Sequence, residues 1–293
     1  MYYVVYGLFW LISLLPLRVL YILSDALYAL TFYVVKYRRD IVMNNLLIAF
    51  PEKTEKERLL IAKKFYHNLV DTFLETIKLI TASDKFINKH FTGNWDVVNS
   101  VYPTGKKVHL FMGHNFNWEW GNAAGATQLH FPFIGIYYPL TNKVFDRLFK
   151  HLRSRKGTLL IRATHMKEDM IQHRSKQYLM GLVADQNPGS RIERALWFNF
   201  FNKPVPFLNQ PSKHAIANNS VVVFAFIHKI KRGYYDVVFS IAEENPQASS
   251  EAAITEKFVR YLEDVIRQYP DMWLWSHRRW RHEWKEEYAE IIS

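Results

Sequence analysis

The N-terminal part of the chain, up to Val35, is an almost uninterrupted apolar stretch. Its only charged side chains are Arg18 and Asp25, and two apolar runs, roughly 2–17 and 19–35, lie on either side of a proline-containing break. A helix that spans a bilayer needs about 20 apolar residues. The pattern therefore predicts a retained membrane anchor, either one tilted span or two helices in the membrane interface. A buried helical pair of a soluble protein is the alternative, and a secretory signal is disfavoured because no basic stretch precedes the run.

Cationic side chains follow the apolar stretch directly. Lys36, Arg38 and Arg39 form the kind of flank that stays cytoplasmic and rests on anionic headgroups. We therefore predict two parts, a membrane anchor over residues 1–37 and a main domain over residues 38–293. Any catalytic site would lie in the main domain and face the cytoplasm.

Beyond the anchor the periodicity changes from helical to strand-like. Residues 40–80 carry apolar positions at helical spacing, and Thr54 with Glu57 forms a capping-box signature. Short apolar runs between polar or helix-compatible stretches are then typical of buried strands in an α/β sheet; they are Lys107–Met112, Phe133–Tyr138, Thr158–Ile161 and Leu179–Ala184. The predicted fold class is α/β, with a mixed, mostly parallel sheet flanked by helices.

The C-terminal third adds a hairpin and a helix. The runs Val221–His228 and Tyr235–Ile241 are joined by Lys231–Gly233, which is typical of a β-hairpin. A serine at 249–250 then caps a helix that extends to about Gln268.

The amino-acid composition excludes several kinds of functional site and indicates the kind of partner. The chain has 293 residues, 38 Lys+Arg against 27 Asp+Glu, a net charge of +11 and no cysteine. The missing cysteine excludes disulfide scaffolds, thiolate zinc sites, iron–sulfur clusters and cysteine nucleophiles. Aromatic residues make up 16% of the chain, and together with the positive charge they indicate contact with an apolar, anionic partner.

Polar side chains follow several predicted strands, at the edge where ligands bind in open α/β sheets. The first strand is followed by Gly113–Glu119, the third by Arg162 and the fourth by Asp185–Gly189. A histidine, a guanidinium and a carboxylate are thus predicted to share one rim of the sheet.

His114 and Glu119 form the leading candidate pair. Five positions on a regular helix correspond to about 140° of rotation, so the two meet only if His114 lies in the turn before a helix and Glu119 in its first turn. Gly113 supplies conformational freedom for that turn, and Asn115 or Asn117 caps the helix. Glu119 would then accept a hydrogen bond from one imidazole nitrogen and leave the other as a general base. The simpler interpretation is a capped helix start with a surface histidine.

The ordered motifs of the chain resemble a known enzyme family. Gly113–Glu119, with a histidine and an acid five positions later, is similar to the histidine-x4-acid signature of glycerolipid-type acyltransferases. Further segments resemble the bacterial late acyltransferases of lipid A, of the lauroyl and myristoyl type; they are Gly157–Arg162, Gly181–Gly189, Trp197–Pro204 and Pro270–Trp280. The resemblance covers nearly the whole chain and implies a glycerolipid-acyltransferase-like fold.

The resemblance implies transfer of a fatty acyl chain from acyl carrier protein to a hydroxyacyl group on a lipid A precursor, with no cofactor and no catalytic metal. His114 then corresponds to the base that deprotonates the acceptor hydroxyl, and Glu119 to its partner. Arg162 corresponds to an active-site arginine that holds a phosphate or the thioester carbonyl. Asp185 and Gln186 correspond to the family's Asp-Gln pair, in which Asp185 orients Arg162 or the acceptor.

Departures from the family pattern are small. Glu119 replaces an aspartate, and Arg191 and Arg194 stand in a segment that is mainly apolar in the family. These differences bear on the acceptor rather than on the reaction. Because the chain has neither a cysteine nor a Gly-x-Ser-x-Gly elbow, direct transfer in a ternary complex is favoured over an acyl-enzyme.

Two aromatic clusters have two interpretations each. The first lines an acyl-chain groove or is ordinary core; it comprises Phe198, Phe200, Phe201 and Phe207. The second binds phosphates at a membrane interface, with Arg278 as the phosphate ligand, or packs the C-terminus; it comprises Trp273, Trp275, Trp280 and Trp284.

Two further patterns carry less information. The basic stretch from Lys143 to Lys156 is a solvated helix face or a docking site for an acidic carrier protein or an anionic headgroup. His109 and His114 lack a His-Glu-x-x-His arrangement, so no metal site is predicted.

We therefore expect a membrane-bound acyltransferase of the bacterial cytoplasmic (inner) membrane, with acyl carrier protein and a lipid A precursor as partners. The same chemistry on another glycolipid, an aminolipid or a lysophospholipid is the nearest alternative. A basic, non-enzymatic membrane- or nucleic-acid-binding protein is the alternative from another class. Only residues 273–284 interleave aromatics with cations, and no RNA-binding signature accompanies them, so nucleic acid is not an expected partner.

Overall fold

The computed structural model describes residues 1–189, 192 and 195–292, so Arg191 and Arg194 lie outside the described residues. The helices are α1 (Tyr2–Leu14), α2 (Leu17–Ala29), α3 (Arg39–Ala49), α4 (Glu55–Lys78), α5 (Asp84–His90), α6 (Trp95–Asn99), α7 (Trp118–Gln128), α8 (Lys143–Ser154), α9 (Met166–Asp169), α10 (Gln210–Ala217) and α11 (Glu251–Gln268). The strands are β1 (Phe91–Gly93), β2 (Val108–Met112), β3 (Phe133–Tyr137), β4 (Leu159–Arg162), β5 (Leu179–Val183), β6 (Ala195–Phe200), β7 (Lys203–Leu208), β8 (Val221–Lys231), β9 (Tyr234–Glu243) and β10 (Ile291–Ile292).

A seven-stranded sheet organises the main domain, in the order β1-β9-β8-β2-β5-β3-β4. The five strands from β8 to β4 are parallel, and β9 returns antiparallel to β8. The sequence therefore predicted the fold class correctly, and the four short apolar runs are the parallel strands β2 to β5. The predicted hairpin is confirmed as well, because β8 and β9 are joined by a turn in which Gly233 has a φ of +76°, the left-handed conformation that glycine adopts most readily.

Helices cover both faces of this sheet, which buries its apolar strands on both sides. On one face Phe258 of α11 packs against Phe111 and Phe224, with ring centroids 5.8 Å and 5.5 Å apart. On the other face Trp120 of α7 packs against Tyr235, with centroids 6.0 Å apart. The carboxyl ends of β2 and β5 thus open between α7 and the C-terminal segment.

Several predicted helix boundaries are confirmed by their caps. Thr54 and Glu57 form a complete capping box at the start of α4, which satisfies two backbone donors that the helix itself leaves free. Ser250 caps α11, with its hydroxyl oxygen accepting a hydrogen bond from the backbone of Ala253.

The sequence did not predict a second sheet, in which β6 lies between β10 and β7. It accounts for the first aromatic cluster, because Phe198, Phe200, Phe201 and Phe207 are all buried in the hydrophobic core. Of the two interpretations, the structure supports core packing for these four side chains. In the second cluster Trp273 and Trp275 are fully buried, so they too pack the C-terminal segment.

A proline divides the apolar N-terminal segment as predicted. Leu15 has an extended backbone with a ψ of 143°, which is the conformation favoured before a proline, and α1 ends there. Helix α2 continues through a π-helical turn at Leu30–Val35. Among the described residues, Leu17–Val35 is the one helix that is long and apolar enough to cross a membrane.

The polar face of α2 packs on the main domain. Ser24 donates a hydrogen bond of 2.6 Å to Asp71, and the hydroxyl of Tyr21 donates one of 2.7 Å to Glu75, both on α4. Apolar side chains on the remaining surface of α1 and α2 are exposed; they include Leu8, Leu11, Ile22 and Leu23. The N-terminal helices are thus joined to the body on one side and uncovered on the other.

Candidate active site

Gly113 sits just after the carboxyl end of β2, where a side chain would crowd its neighbours. A Cβ atom on Gly113 would lie 2.7 Å from a methyl group of Leu262 and 3.2 Å from Oδ2 of Asp185. Its φ lies outside the left-handed region, so the predicted need for conformational freedom is wrong. A side chain at this position would displace Leu262 of α11 and crowd the Asp185 carboxylate.

His114 and Asp185 form a hydrogen-bonded pair at the rim of the sheet. Nδ1 of His114 lies 2.6 Å from Oδ1 of Asp185, and the backbone N–H of His114 donates to Oδ2 over 2.9 Å. Trp273 adds a third bond, from its indole Nε1 to Oδ2, at 2.8 Å. The Asp185 side chain is 0% exposed, whereas 22% of the His114 side chain is exposed. The carboxylate thus fixes an imidazole that still reaches the surface.

The pair changes the proton affinities of both groups. Burial acts to lower the pKa of His114, but the charge and hydrogen bond of Asp185 outweigh burial and hold that pKa above its ordinary value. Burial alone would raise the pKa of Asp185, yet the interactions with His114 and Trp273 keep it well below its usual range. An ionised Asp185 therefore faces a histidine whose protonated form it stabilises.

Glu119 occupies the predicted position but has a different partner. His114 lies in the turn before α7 and Glu119 in its first turn, and Asn117 caps the helix by accepting a hydrogen bond from the backbone N–H of Trp120. The Glu119 carboxylate binds Arg153 of α8, with Oε1 2.5 Å from Nη2. The expected bond between Glu119 and the imidazole is therefore wrong, because Asp185 already occupies Nδ1.

Arg162 lies at the end of β4, on the edge of the sheet. Its guanidinium binds Asp169 at two points, 2.5 Å and 2.8 Å long, so the expectation that Asp185 orients it is wrong. Strand β4 is three places from β2, a separation of roughly 14 Å at the usual strand spacing. The structure does not bring Arg162 to His114.

Gln186 lies beside His114, whereas Arg278 is exposed to solvent near the C-terminal segment. The neighbouring Arg279 is the buried arginine of this region. Its guanidinium lies 4.0 Å from the ring centroid of Phe207, and none of its nitrogens has a hydrogen-bond partner among the described residues. Burial lowers the pKa of Arg279 to about 9, and its charge acts to lower the pKa of His114.

The C-terminal segment holds the turn that carries His114. The backbone carbonyl of His114 accepts a hydrogen bond of 3.0 Å from Leu274, and Met272 accepts one of 3.1 Å from Phe116. Trp273 forms a bridge with Asn115 and binds Asp185 through its indole. Sequence reasoning missed Trp273 as a positioning residue, although its place in the family-like C-terminal motif pointed to this segment.

His114 borders a cavity of about 320 Å³ that lies on the α7 side of the sheet. Gln186, Glu119 and Arg153 provide polar groups near His114, while the remaining wall is mainly apolar; it includes Met112, Phe133, Leu160, Val183 and Ile227. Tyr138 and Leu140, 60% and 41% exposed, also line this cavity. A few polar groups at an otherwise apolar pocket of this size fit an elongated apolar ligand with a reactive polar end.

Among the residues that the structure describes, no three His, Asp or Glu side chains converge as metal ligands would. His109 is buried on the opposite face of β2 from this cavity, and burial lowers its pKa to about 3. His114, bound by Asp185 and bordering an apolar cavity, is the candidate for proton transfer at this rim.

Comparison with known proteins identifies the family of this chain. Residues 1–282 match the family described as Bacterial lipid A biosynthesis acyltransferase. The chain is 23% identical over 276 residues to the Lipid A biosynthesis lauroyltransferase of Escherichia coli (strain K12), covering 94% of this chain and 89% of the relative. It is 25% identical over 251 residues to the Lipid A biosynthesis acyltransferase of Haemophilus influenzae (strain ATCC 51907 / DSM 11121 / KW20 / Rd), covering 83% and 78%. The chain therefore belongs to the bacterial lipid A biosynthesis acyltransferases and is an acyltransferase.

Proposed function

We propose that the protein transfers a fatty acyl chain from acyl carrier protein to a hydroxyl group of a lipid A precursor, with His114 as the general base. The observation that carries this proposal is the position of His114. Its Nδ1 is bound by the buried Asp185, and its ring borders an apolar cavity large enough for part of a fatty chain. Membership of the family supports acyl transfer in lipid A biosynthesis.

The reaction proceeds in a ternary complex of donor thioester and acceptor hydroxyl. Because Nδ1–H of His114 donates to Asp185, Nε2 carries the free lone pair and removes the hydroxyl proton. The hydroxyl oxygen attacks the thioester carbonyl carbon, the C–O bond forms and the C–S bond breaks. His114 then returns the proton to the departing thiolate. This route needs no covalent acyl-enzyme and no cofactor.

Asp185 and Trp273 act as positioning residues in this mechanism. Asp185 fixes the tautomer and the orientation of His114, and Trp273 fixes Asp185. Glu119 is held by Arg153 and by the indole of Trp118. We assign Glu119 to shaping the polar rim of the cavity, where it holds Arg153 beside the reacting groups.

Three further residues are assigned to substrate binding. Gln186 lines the cavity next to His114 and is placed to contact the thioester or the acceptor hydroxyl. Arg278 is exposed, its backbone carbonyl accepts a hydrogen bond from Asn187 after β5, and its guanidinium would bind a phosphate of the acceptor. Arg162 would bind a phosphate farther along the rim by exchanging Asp169 for it.

We propose that residues 1–37 anchor residues 38–293 to the cytoplasmic face of the bacterial inner membrane. The exposed apolar side chains of α1 and α2 support this, as do the cations Lys36, Arg38 and Arg39 after α2. The exposed Tyr138 and Leu140 place an apolar rim of the cavity on the surface. We propose that a lipid enters the His114 cavity across this rim.

The basic stretch at α8 is less available for carrier-protein docking than the sequence indicated. Arg147 stacks on Tyr2 of α1, with its guanidinium 4.1 Å from the ring centroid, and Lys150 binds Asp146. Arg153 is bound to Glu119. Acyl carrier protein remains the proposed donor, and we propose that it docks on cationic side chains outside α8.

The test is transfer by the purified protein from acyl carrier protein to a lipid A precursor. We expect His114→Ala to lower kcat by about 10²–10⁴, the range for loss of a general base, while the exposed His130→Ala serves as the matched control. Near-wild-type transfer by His114→Ala would overturn the assignment of the base.

Mass spectrometry of lipid A from a deletion strain tests the acceptor. Loss of one acyl chain supports lipid A, whereas unchanged lipid A favours another glycolipid, an aminolipid or a lysophospholipid.

A further inference from the structure

A second, larger cavity lies on the opposite face of the sheet from His114. It has a volume of about 500 Å³. Successive side chains of a strand point to opposite faces, and β5 shows the separation, since Gly181 and Val183 line the His114 cavity while Met180 lines the second one. The two cavities share Ile136 and Tyr138 at the end of β3. We call the second one the rear cavity.

Deformable apolar side chains line the rear cavity. Met166, Met170 and Met180 contribute to its wall together with Tyr178 and Leu208. Methionine side chains are unbranched and adapt to irregular ligands. Met170, Met180 and Tyr178 belong to a small hydrophobic cluster that is separate from the main core.

Two buried polar atoms of residues that line the rear cavity have no hydrogen-bond partner among the described residues. Nδ1 of His109 and Oε1 of Gln210 are buried without a hydrogen bond, and both residues line this cavity. The His109 side chain is only 1% exposed. These two residues add polar side chains to the mainly apolar wall of the rear cavity.

Positive charge lies at the mouth of the rear cavity. Lys167 and Arg174 line it and are exposed to solvent. Of the two carboxylates of α9, Asp169 is bound by Arg162, and Glu168 is exposed to solvent and forms no ion pair within 4.0 Å among the described residues. The rear cavity thus combines an apolar wall with a cationic mouth, which is complementary to a fatty chain with an anionic head group.

We propose that the rear cavity binds an acyl chain already carried by the acceptor lipid, with a phosphate of that lipid at Lys167 and Arg174. This inference rests on the proposed function. If the donor chain fills the His114 cavity, the chains of the acceptor need another apolar surface. The shared wall at Ile136 and Tyr138 lets one lipid reach both cavities around the end of β3.

Photo-crosslinking locates a bound alkyl chain in the protein without requiring catalytic turnover. The probe is a twelve-carbon alkyl phosphate with a terminal diazirine, bound to the full-length protein in phosphatidylcholine vesicles. We expect crosslinked peptides from residues 163–180 and 208–218 as well as from the His114 cavity. Absence of crosslinks at both rear-cavity segments would overturn the proposal.

Two filling variants test the site itself. Met166→Trp, and Asn218→Trp at the exposed rim, are expected to abolish crosslinks in 163–180 and to retain those at the His114 cavity. The matched variant Val183→Trp is expected to do the reverse. The charge variants Lys167→Glu and Arg174→Glu should weaken the alkyl phosphate about tenfold and leave an alkyl maltoside probe unchanged. Retention of rear crosslinks in both filling variants would exclude the rear cavity.

Competition and kinetics identify the source of the chain. A lipid A precursor should displace the probe from the rear cavity, while phosphatidylglycerol at the same concentration should not. Asn218→Trp should raise the KM for the acceptor and leave the KM for the acyl carrier protein donor unchanged. Equal displacement by phosphatidylglycerol, or an unchanged acceptor KM, would overturn the assignment to the acceptor. Failure of the proposed function would appear separately, as wild-type protein that crosslinks the probe but transfers no acyl chain.

Discussion

The side-chain amide of Asn117 donates a hydrogen bond of 2.7 Å to Oε2 of Glu75, and this bond joins α4 to the cap of the helix that follows His114. Glu75 is buried and also accepts hydrogen bonds of 2.7 Å from the hydroxyls of Tyr21 and Tyr235. Its backbone carbonyl accepts a further bond from the indole of Trp120. One carboxylate therefore connects the N-terminal helix α2, the sheet and the start of α7.

Loss of the Tyr21 hydroxyl should loosen this connection. We expect Tyr21→Phe to lower the free energy of unfolding by about 1 kcal/mol, because a buried oxygen of Glu75 loses one donor. Thermal or denaturant unfolding of the full chain in detergent measures the change. Tyr234→Phe is the matched control, since its hydroxyl bonds to no described residue. Equal stability of Tyr21→Phe and the wild type would show that the bond contributes nothing.

The contact between His114 and Asp185 shows which part of the site could not be predicted from the sequence. The apolar runs predicted the parallel strands because each run is short, buried and bounded by polar residues. The residues that follow β2 and β5, His114 and Asp185, do meet at one rim of the sheet. The partner of His114 escaped prediction because Asp185 is 71 residues away, while Glu119 is close along the chain. Only the order of the strands, with β2 beside β5, brings His114 and Asp185 together.

The charges of Asp185 and Arg279 change the pKa of His114 in opposite directions. This gives a prediction for the pH dependence of acyl transfer. The base must be neutral, so the rate falls as the pH drops through the raised pKa of His114. Asp185→Asn removes the interaction that raises this pKa and should move the acid limb to lower pH, with a lower kcat. Arg279→Met removes a charge that lowers the pKa of His114 and should move the limb to higher pH.

The measurement is kcat/KM against pH for the wild type and both variants. The exposed Arg281→Met provides the control for a general loss of positive charge. Shifts of the acid limb in the same direction for Asp185→Asn and Arg279→Met would contradict the assignment of this limb to His114.

His109 should make the fold sensitive to mild acid. Burial lowers its pKa to about 3 in the folded protein, whereas an unfolded histidine has a pKa of about 6.5. The unfolded chain therefore binds the extra proton first, and stability is lost as the pH falls below the unfolded value. Between about pH 7.5 and pH 5.5 this one group should lower the free energy of unfolding by about 1.4 kcal/mol.

Unfolding at the two pH values tests this directly. His109→Leu should reduce the loss of stability on acidification, whatever its effect on stability at pH 7.5. The exposed His130→Leu should leave the pH dependence unchanged. The raised pKa of His114 acts in the opposite sense, since its contribution is present below the unfolded pKa and is lost as the pH rises. For that reason the comparison uses the difference between variants rather than the total slope.

Variants of the ion pair between Glu119 and Arg153 distinguish its contribution to stability from its contribution to activity. Glu119 is almost fully buried and Arg153 is 27% exposed on its side chain. Glu119→Leu leaves a largely buried guanidinium without its partner, and a single replacement of this kind costs roughly 3 kcal/mol. The double variant Glu119→Leu/Arg153→Leu removes both charges and should recover most of that stability.

The activities of Glu119→Leu, Arg153→Leu and the double variant then distinguish two roles for Glu119. If Glu119 acts by holding Arg153 in place, Arg153→Leu should lower kcat/KM as much as Glu119→Leu does, and the double variant should be no worse than either. If the Glu119 carboxylate instead contacts the reacting groups, Arg153→Leu should retain more activity than Glu119→Leu. We expect the first pattern, because all the described hydrogen bonds of the carboxylate go to Arg153 and Trp118 and none goes to His114.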